Sequence, residues 1–390
     1  MLIGIVGAPN KGKSTLFSAL TLTHAEIANY PFTTIDPNKG IAYVLRDCPC
    51  KELGVKCSAR NSLCINYKRH IPINIVDIAG LVEGAHLGKG MGNRFLTDIS
   101  LADALIIVAD ASGKTDTNGN ACNSSEPVND IDMVISELSE WVAEIIKKHI
   151  TQISKSKDQP AILAQTLAGL SISRLDVDAA MKAAPIRDKE PKFGDAHILR
   201  LAKELIRISK PFVIAANKID DTKDNSGLSK LYERFGRDNV FELSAAIEFA
   251  ERKAEEAGVI KRREDGFLEV SAAAGIDAAQ SNAAKYIIAF LNSHNNGLTA
   301  MLNYVVFNKL DYVVVYPVED ENKYSDSNGA ILPDAILIKR GSTAQDMAMK
   351  IHTEIGSKML YAIDARKKMR IGKDYILNDN DIIKIVSAAK

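Results

Sequence analysis

The first residues that could do chemistry lie between Gly7 and Ser14, in the stretch GAPNKGKS. They fit the pattern G-x-x-x-x-G-K-S, in which glycines let backbone N–H groups curve around a chain of phosphates. An apolar strand from Leu2 to Val6 precedes the stretch, and a helical pattern follows it, so a helix N-terminus would add positive potential. The pattern predicts a phosphate-binding loop; the alternative is a glycine-rich turn that binds nothing, which the full match in this context disfavours.

The side chains of this loop have expected roles. Lys13 should reach the outer phosphates of a nucleotide, and the hydroxyl of Ser14 should ligate Mg²⁺. The loop by itself does not distinguish ATP from GTP. The residues expected to enclose the nucleotide phosphates are Gly7, Ala8, Pro9, Asn10, Lys11, Gly12, Lys13, Ser14 and Thr15.

A second apolar strand, in INIVDIAG, ends in Asp77-x-x-Gly80. Asp77 is expected to hold Mg²⁺, usually through water, and the N–H of Gly80 to touch the terminal phosphate. Between this strand and the phosphate loop lies NYPFTTIDPNKG, where Thr33 and Thr34 could each close over Mg²⁺. Thr34 is the preferred candidate, and a solvated loop threonine is the alternative. The expected catalytic residues are therefore Lys13, Thr34 and Gly80.

Two later stretches indicate which base the bound nucleotide carries. PFVIAANKID ends a buried strand with Asn217, Lys218 and Asp220. A carboxylate at Asp220 can accept two hydrogen bonds from guanine, whereas adenine would leave it without a partner. FELSAA follows another strand, and one of its backbone N–H groups can meet the guanine carbonyl oxygen. This order of motifs indicates GTP, with ATP as a weaker alternative. The residues of the last motif are Ser244, Ala245 and Ala246.

These stretches resemble the Obg-related GTPases, and within them the YchF-like branch in its archaeal form. The resemblance is carried by GAPNKGKSTLFSALT, NYPFTTIDPNKG, DIAGLVEGAHLGKGMGNRFL, ANKID and SAA. The segment from NKLDYVVVYPVEDEN to DYILNDNDIIKIVS resembles a TGS domain, a ubiquitin-like β-grasp module. The resemblance implies a role near ribosomes or in translation. Relatives that prefer ATP have an altered guanine-reading motif, whereas this chain has an intact one.

The residue after D-x-x-G is Leu81, where many GTPases have a glutamine that orients the attacking water. An apolar side chain cannot orient water, so another group must do so. The resemblance points to GTPases activated by potassium, in which an Asn of the phosphate loop contributes to the ion site, and Asn10 holds the matching position. A bound K⁺ would offset charge that develops on the phosphates. Equally, Asn10 could only shape the loop, and a partner or His86 could supply the missing group.

Four of the five cysteines, Cys48, Cys50, Cys57 and Cys64, lie in one short segment between two predicted strands. Four thiols can bind zinc tetrahedrally, but this spacing lacks the paired C-x-x-C of common zinc sites. Reduced cysteines without metal are the alternative. Basic residues interleave with the cysteines and form a tip that could contact RNA, unless it is only a solvated loop. These basic residues are Arg46, Lys51, Lys56, Arg60, Lys68, Arg69 and His70.

The remaining pattern predicts a multidomain α/β protein. An apolar stripe at helical spacing runs from Ile131 to Ile146, between two strands of the core, and residues 247–293 also read as mostly helical. We therefore predict a P-loop GTPase with a doubly wound sheet, an inserted helical domain and a C-terminal β-grasp (TGS) domain. The predicted ranges are 1–128 and 210–302 for the GTPase domain, 129–209 for the helical insertion and 303–390 for the TGS domain.

The composition narrows the choice of partners. Lys plus Arg and Asp plus Glu are equal at 49 each, so net charge gives no argument for nucleic acid or an acidic membrane. No apolar run is long enough to span a bilayer, and the first strand leaves no room for a signal peptide. We expect a cytoplasmic protein whose ribosome or RNA contacts are local. A second basic tip is predicted in the TGS domain, at Arg366, Lys367, Lys368, Arg370 and Lys373.

Two functions from different classes stay open. The first is a switch that binds GTP and hydrolyses it to GDP and phosphate with Mg²⁺, in association with ribosomes or translation. The second is an adaptor or RNA-binding protein whose nucleotide is mostly structural and whose intrinsic turnover is negligible. Leu81 favours the second, because intrinsic catalysis without a water-orienting side chain should be poor. The oligomeric state cannot be read from the sequence.

Overall fold

The computed structural model describes residues 1–21, 38–81, 84, 98–187, 190–222, 224–263, 267–272, 275–294 and 297–388. The predicted roles of Thr33, Thr34 and His86 fall outside these residues. Among the described helices, none is both long enough and apolar enough to cross a bilayer.

A seven-stranded sheet forms the centre of the first part of the chain, and its strands lie between Leu2 and Glu242. Its order is β2-β4-β1-β5-β6-β7, with β3 paired to β4. The pairs along β4-β1-β5-β6-β7 are parallel, while β2 and β3 run antiparallel to β4. The central strands are apolar and almost wholly buried, as parallel strands covered on both faces must be. The strands are β1 (Leu2–Val6), β2 (Lys39–Asp47), β3 (Leu63–Ile65), β4 (Lys68–Asp77), β5 (Ala104–Asp110), β6 (Phe212–Asn217) and β7 (Val240–Glu242).

Helices connect these strands and cover the sheet. Two of them, α1 (Lys13–Thr21) and α2 (Cys50–Leu53), lie in the first part of the chain. Between β5 and β6 the chain is helical, as the sequence pattern indicates. The helices of this segment are α3 (Pro127–Lys148), α4 (Ile150–Lys155), α5 (Gln159–Thr166), α6 (Arg174–Ala183) and α7 (Asp195–Ser209).

Helix α3 begins at Pro127, a residue that suits the first helical position because its missing N–H would be unpaired there anyway. The apolar stripe of α3 is buried against α7 and shares one core with the sheet, so it is a packing surface. The buried members of the stripe are Ile131, Val134, Leu138, Val142 and Ile146.

After β6 come α8 (Ser226–Phe235) and, beyond β7, α9 (Ala245–Glu256). The described residues of 247–293 are mostly helical, as expected, with one exception. A two-stranded antiparallel hairpin of β8 (Ile260–Arg262) and β9 (Leu268–Val270) separates α9 from α10 (Ala278–His294). Strands of three residues are too short to show the alternation that identifies a strand in a sequence.

The C-terminal module has a five-stranded sheet with the order β11-β10-β14-β12-β13. β10 and β14 are parallel, and the other pairs are antiparallel, which together with the helix packed on the sheet is a β-grasp arrangement. Its elements follow α11 (Gly297–Tyr304) and are β10 (Tyr312–Val318), β11 (Ile336–Lys339), α12 (Ala344–Ile351), α13 (Thr353–Ser357), β12 (Met359–Asp364), β13 (Met369–Ile371) and β14 (Asp381–Ser387).

The start of α12 has a capping box. Oγ1 of Thr343 accepts a hydrogen bond from the N–H of Asp346 at 3.2 Å, and the Asp346 carboxylate accepts one from the N–H of Thr343 at 2.7 Å. Each bond satisfies a backbone donor that the helix itself leaves unpaired. The predicted domain boundaries after residues 128 and 302 fall within α3 and α11. The division into domains stays a prediction.

Candidate nucleotide-binding site

The predicted nucleotide motifs lie at one edge of the seven-stranded sheet. Each follows the carboxyl end of a parallel strand: the phosphate loop follows β1, Asp77 ends β4, Asn217 ends β6, and Ser244 comes after β7. Because the carboxyl ends of parallel strands meet at the same edge, residues far apart in the sequence are brought together there.

Two glycines of the phosphate loop occupy places where a side chain could not fit. A Cβ on Gly7 would lie 2.6 Å from the carbonyl oxygen of Val108, and one on Gly12 would lie 2.3 Å from Nδ2 of Asn217. Gly12 also has a φ of 90°, which favours glycine. The loop therefore passes close against β5 and β6.

Lys13 is the first residue of α1, and its Nζ donates a hydrogen bond to the carbonyl oxygen of Ala8 at 2.8 Å. Burial lowers the pKa of Lys13, and the negative charge of Asp77 opposes this shift. A Cβ on Gly80 would lie 3.3 Å from the same Nζ, and Leu81 donates its N–H to the carbonyl oxygen of Gly7 at 3.1 Å. The D-x-x-G segment therefore lies directly against the phosphate loop.

The carboxylate of Asp77 has an unusual environment. Its Oδ1 is buried and has no hydrogen-bond partner in the part of the chain that the structure describes. Buried carboxylate oxygens are normally paired, so this atom suits a metal ion or a metal-bound water. Ser14 is exposed at the start of α1 and carries the hydroxyl that Mg²⁺ prefers. The two residues fit a magnesium site.

Asn217 joins the predicted base-reading segments to the phosphate loop. Its Nδ2 donates to the carbonyl oxygen of Lys11 at 2.7 Å, and its Oδ1 accepts from the N–H of Ala245 at 2.8 Å. Ser244 accepts a hydrogen bond from the N–H of Ile247 and so caps α9. Asn217 is buried, and its contacts fix the end of β6, the phosphate loop and the start of α9 relative to one another.

Lys218 also contacts the phosphate loop. Its Nζ donates to the carbonyl oxygen of Asn10 at 2.9 Å and lies 2.9 Å from Oδ2 of Asp110. Burial opposes ionisation of Asp110, but hydrogen bonds from Ser112 and Thr115 and the charge of Lys218 outweigh it and lower the pKa. Asp110 ends β5, and the sequence analysis did not identify it as a site residue. The other two predicted base-site residues, Asp220 and Ala246, are exposed at this edge of the sheet.

The segment after β5 covers the phosphate loop, which the sequence analysis also missed. Nδ2 of Asn10 donates to the carbonyl oxygen of Gly119, and Nζ of Lys11 donates to that of Thr115, both at 2.9 Å. A Cβ on Gly119 would lie 2.8 Å from the carbonyl oxygen of Pro9, so the two loops are in contact. The sequence feature that could have pointed to this segment is the apolar run of β5, which ends in Asp110.

The cysteine segment contacts the C-terminal module. Arg60 forms ion pairs with Asp326 at 3.2 Å and Asp334 at 2.6 Å. Arg69 is buried and donates to the carbonyl oxygens of Leu332 and Pro333. Part of the first predicted basic tip therefore binds groups of the same chain, whereas Lys51 and Lys56 are exposed.

The second predicted basic tip is also partly engaged. Arg366 contacts Glu52 of the cysteine segment, and Nζ of Lys367 lies 3.1 Å from the carboxylate of Asp364. Nζ of Lys368 lies 4.6 Å from the centre of the ring of Tyr324, and Arg370 lies 3.8 Å from that of Tyr361. Lys373 is exposed. These contacts reduce the free positive charge that the tip offers to RNA.

The four clustered cysteines converge on one point. Their sulfur atoms all lie within 4.8 Å of one another, with 4.0 Å between Cys48 and Cys57 and 3.7 Å between Cys50 and Cys64. A hydrogen bond from Cys64 lowers the pKa of Cys48 to about 5, whereas burial and the neighbouring Cys48 raise that of Cys50 to about 12. The spacing in the sequence did not show this convergence.

Three family models match the chain. A model of the 50S ribosome-binding GTPase matches residues 2–164. A model of the G4 motif-containing domain of the YGR210-like Obg-like GTPases matches residues 215–320, and a TGS domain model matches residues 329–387.

Similar proteins extend over the full chain. An uncharacterized GTP-binding protein of Methanocaldococcus jannaschii is 49% identical over 395 residues, which cover 100% of both chains. The ribosome-binding ATPase YchF of Bacillus subtilis is 28% identical, with 97% of each chain covered. The crystal structure of a GTP-binding protein from Pyrococcus horikoshii OT3 superposes with a TM-score of 0.78 at 35% identity, with 100% of both chains covered.

Proposed function

Because this chain belongs to the Obg-like, YchF-type family of P-loop GTP-binding proteins, we propose that it binds and hydrolyses GTP as a switch acting on the ribosome. The observation that carries the proposal is the pair of hydrogen bonds by which Asn217 joins Lys11 of the phosphate loop to Ala245 of the base-reading segment. The phosphate loop and the base-reading segment would therefore already lie in the relative positions needed to hold a guanine nucleotide.

Selection of guanine rests on Asp220. This carboxylate is exposed at the mouth of the site, where it can accept hydrogen bonds from the ring N–H and exocyclic amine of guanine. Adenine has a hydrogen-bond acceptor where guanine has its ring N–H. With ATP, the lone pair of this ring nitrogen would therefore face the negative carboxylate of Asp220. Some relatives are named ATPases, and the intact Asn217, Lys218 and Asp220 are the reason for proposing GTP here.

Magnesium would be held by Ser14 and Asp77, the two candidate ligands within the described residues. It would neutralise charge on the phosphate oxygens during transfer. Thr34 stays a proposed third ligand from the sequence alone. Among the groups of this chain, Lys13 would orient the outer phosphates, and the N–H of Gly80 beside it would bind the terminal one.

The attacking water must be oriented by something other than Leu81, whose side chain is 1% exposed and part of the core. We propose K⁺ at Asn10, or a group supplied by the ribosome. The amide nitrogen of Asn10 is bound to Gly119, and this contact would fix the direction of the amide oxygen. Intrinsic turnover would then be slow, and it would rise with potassium or with the partner.

The ribosome is proposed as the partner because a relative that matches nearly the full chain is named a ribosome-binding ATPase. Candidate contacts are the exposed lysines Lys51, Lys56 and Lys373, since their neighbours in the basic tips bind groups of the same chain. Screening by salt would weaken such contacts.

The test combines two measurements on the purified protein. Phosphate release from GTP and from ATP is followed with and without ribosomes, and pelleting with ribosomes is compared between a non-hydrolysable GTP analogue and GDP. We expect GTP to be the better substrate and binding to depend on the analogue. Equal pelleting in both states would contradict a switch, and no pelleting in either would contradict the ribosome as partner.

An adaptor that holds its nucleotide as a structural ligand is the second candidate. The buried Leu81 favours it, because the apolar side chain at that position cannot orient the attacking water. Turnover that stays negligible with both potassium and ribosomes, while GTP still binds, would select the adaptor.

A further inference from the structure

The four clustered cysteines have the geometry of a tetrahedral metal site. With a metal–sulfur bond of about 2.3 Å, tetrahedral geometry places sulfur atoms roughly 3.8 Å apart. The sulfur separations of 4.0 Å (Cys48 to Cys57) and 3.7 Å (Cys50 to Cys64) lie on either side of this value, and no pair of these four sulfurs is more than 4.8 Å apart. Four sulfur ligands favour zinc, or iron, over metals that prefer oxygen.

The strands and turns of the segment place the ligands. Cys64 lies on β3 opposite Arg69 of β4, so the two side chains share one face of the sheet. Cys48 follows β2 directly, and its N–H donates to the carbonyl oxygen of Tyr67 at the turn into β4. Cys50 opens the short helix α2, while Cys57 lies in the loop beyond it. Strand pairing and a backbone hydrogen bond therefore place Cys64 and Cys48, whereas Cys50 and Cys57 lie on a four-residue helix and in a loop, which a bound metal would tie to them.

The buried groups around the cysteine cluster would be stabilised by a negative charge at the cluster. The guanidinium of Arg69 is 0% exposed, and within the described residues it has no carboxylate partner and its Nη1 has no hydrogen bond. The hydroxyl of Tyr316 is also buried without a partner, and the Arg69 guanidinium lies 5.5 Å from the centre of its ring. An unpaired buried cation is costly. A metal bound by four thiolates carries net negative charge, so it would compensate Arg69.

The same segment forms an interface with the C-terminal module. The N–H of Ser58 donates to the carbonyl oxygen of Ile331 at 2.8 Å, and the N–H of Arg60 donates to that of Pro333 at 2.7 Å. Both donors lie between Cys57 and Cys64, and Cys48 and Cys50 share a buried cluster with residues of the C-terminal module. The shape of the cysteine segment therefore decides whether these contacts can form.

We propose that Cys48, Cys50, Cys57 and Cys64 bind one structural zinc ion, which holds the cysteine segment in the shape that docks the C-terminal module. All four positions around the metal are filled by protein, so the site has no open position for catalysis. Binding releases the protons of those thiols that are protonated in the free protein, and no oxidation is involved.

Metal content is the first test. Protein expressed with zinc supplied and purified without chelator should contain about one zinc per chain. Cys57→Ser and Cys64→Ser should lose most of it, while the matched control Cys122→Ser should keep it, since Cys122 lies outside the cluster and contacts the carbonyl oxygen of Gly113. Retained GTP binding shows that a metal-free variant is folded.

Three results would overturn the proposal. One is less than about half an equivalent of zinc in the unmodified protein. Another is a stoichiometric, coloured iron site in its place. The third is a mass lower by four hydrogen atoms under non-reducing conditions, which means that the thiols have been oxidised to two disulfides.

The docking role is tested on the unmodified protein, so that it does not depend on a variant that folds. Zinc is removed with a chelator, and hydrogen exchange is followed at two places. The amides of Ser58 and Arg60 should exchange faster, whereas the amide of Ala245, bound to Asn217, should not change. Unchanged protection at residues 58–60 would overturn the docking role. Guanine-nucleotide affinity should survive zinc removal, so this test is separate from that of the proposed function.

Discussion

The ammonium of Lys11 lies 2.9 Å from Oδ1 of Asp130, and the two side chains are 0% and 1% exposed. The ion pair joins the phosphate loop to the first turn of α3. Burial raises the pKa of Asp130 to about 6, even though the charge of Lys11 favours the ionised carboxylate. The loop that is expected to hold phosphates is thus joined to the helical segment by a buried ion pair.

We expect Asp130→Ala to destabilise the protein by about 3–5 kcal/mol, because it leaves the Lys11 ammonium buried without its partner. Thermal or denaturant unfolding with the nucleotide removed measures this loss. Asp132→Ala is the matched control, since Asp132 pairs with Arg234 on the exposed face of the same helix. An exposed pair contributes about 0–1 kcal/mol, so similar losses in both variants would contradict the assigned role of the buried pair.

Asp220→Ala should weaken GTP binding by at least about a hundredfold, because each of its two hydrogen bonds to guanine contributes about 1.5–3 kcal/mol. ATP binding should change little, so the preference for GTP over ATP should fall. Titration with fluorescent analogues of both nucleotides measures the ratio. Asp221→Ala tests the neighbouring carboxylate, which contacts Lys114, and should leave the ratio unchanged. An unaltered GTP preference in Asp220→Ala would mean that this residue does not read the base.

Potassium should raise the rate of GTP hydrolysis by of order tenfold over sodium at equal ionic strength, because a cation near the phosphates offsets developing charge. The ratio of the two rates should approach one in Asn10→Ala. A purely structural role of the bond to Gly119 would lower both rates and leave their ratio intact. Equal rates for the unmodified protein in KCl and NaCl would remove the potassium hypothesis.

Glu248 should make stability depend on pH. Burial raises its pKa to about 7, and the nearby charge of Arg252 opposes the shift. In the unfolded chain a glutamate ionises near about 4.3, so between these values the folded state binds more protons. The stability contributed by the protonated group is therefore present below about pH 4.3 and is lost as pH rises towards 7, by up to about 4 kcal/mol.

Glu248→Gln keeps an oxygen acceptor for the N–H of Leu298 and removes the ionisation. Its melting temperature should exceed that of the unmodified protein by more at pH 8 than at pH 5. Glu256→Gln, on the exposed face of the same helix, should show a difference that does not vary with pH. A constant difference for Glu248→Gln as well would show that the residue is already ionised at pH 5.

The position of each nucleotide motif at the end of a strand could be predicted because each motif is local. The phosphate loop and the segment that begins at Asn217 directly follow strands that can be recognised from their apolar residues. The capping box at Thr343 is local in the same way, because it joins two residues that lie three positions apart. By contrast, the pairing of Lys11 with Asp130 and the convergence of the cysteines depend on how distant segments meet in three dimensions. No periodicity within one segment reports such contacts.

Strand β4 has Arg69 near its start and Asp77 at its end, and it is paired with β2 over nine positions, from Lys39↔Val76 to Asp47↔Lys68. The eight steps between Arg69 and Asp77 span about 26 Å at roughly 3.3 Å per residue. A ribbon tied by a ladder of hydrogen bonds resists changes in length, and it has Asp77, the proposed magnesium ligand, at one end and the carbonyls of Leu332 and Pro333, bound by Arg69, at the other. A displacement of Asp77 along β4 would therefore shift Arg69 and the carbonyls it binds, whereas a flexible tether would not pass it on.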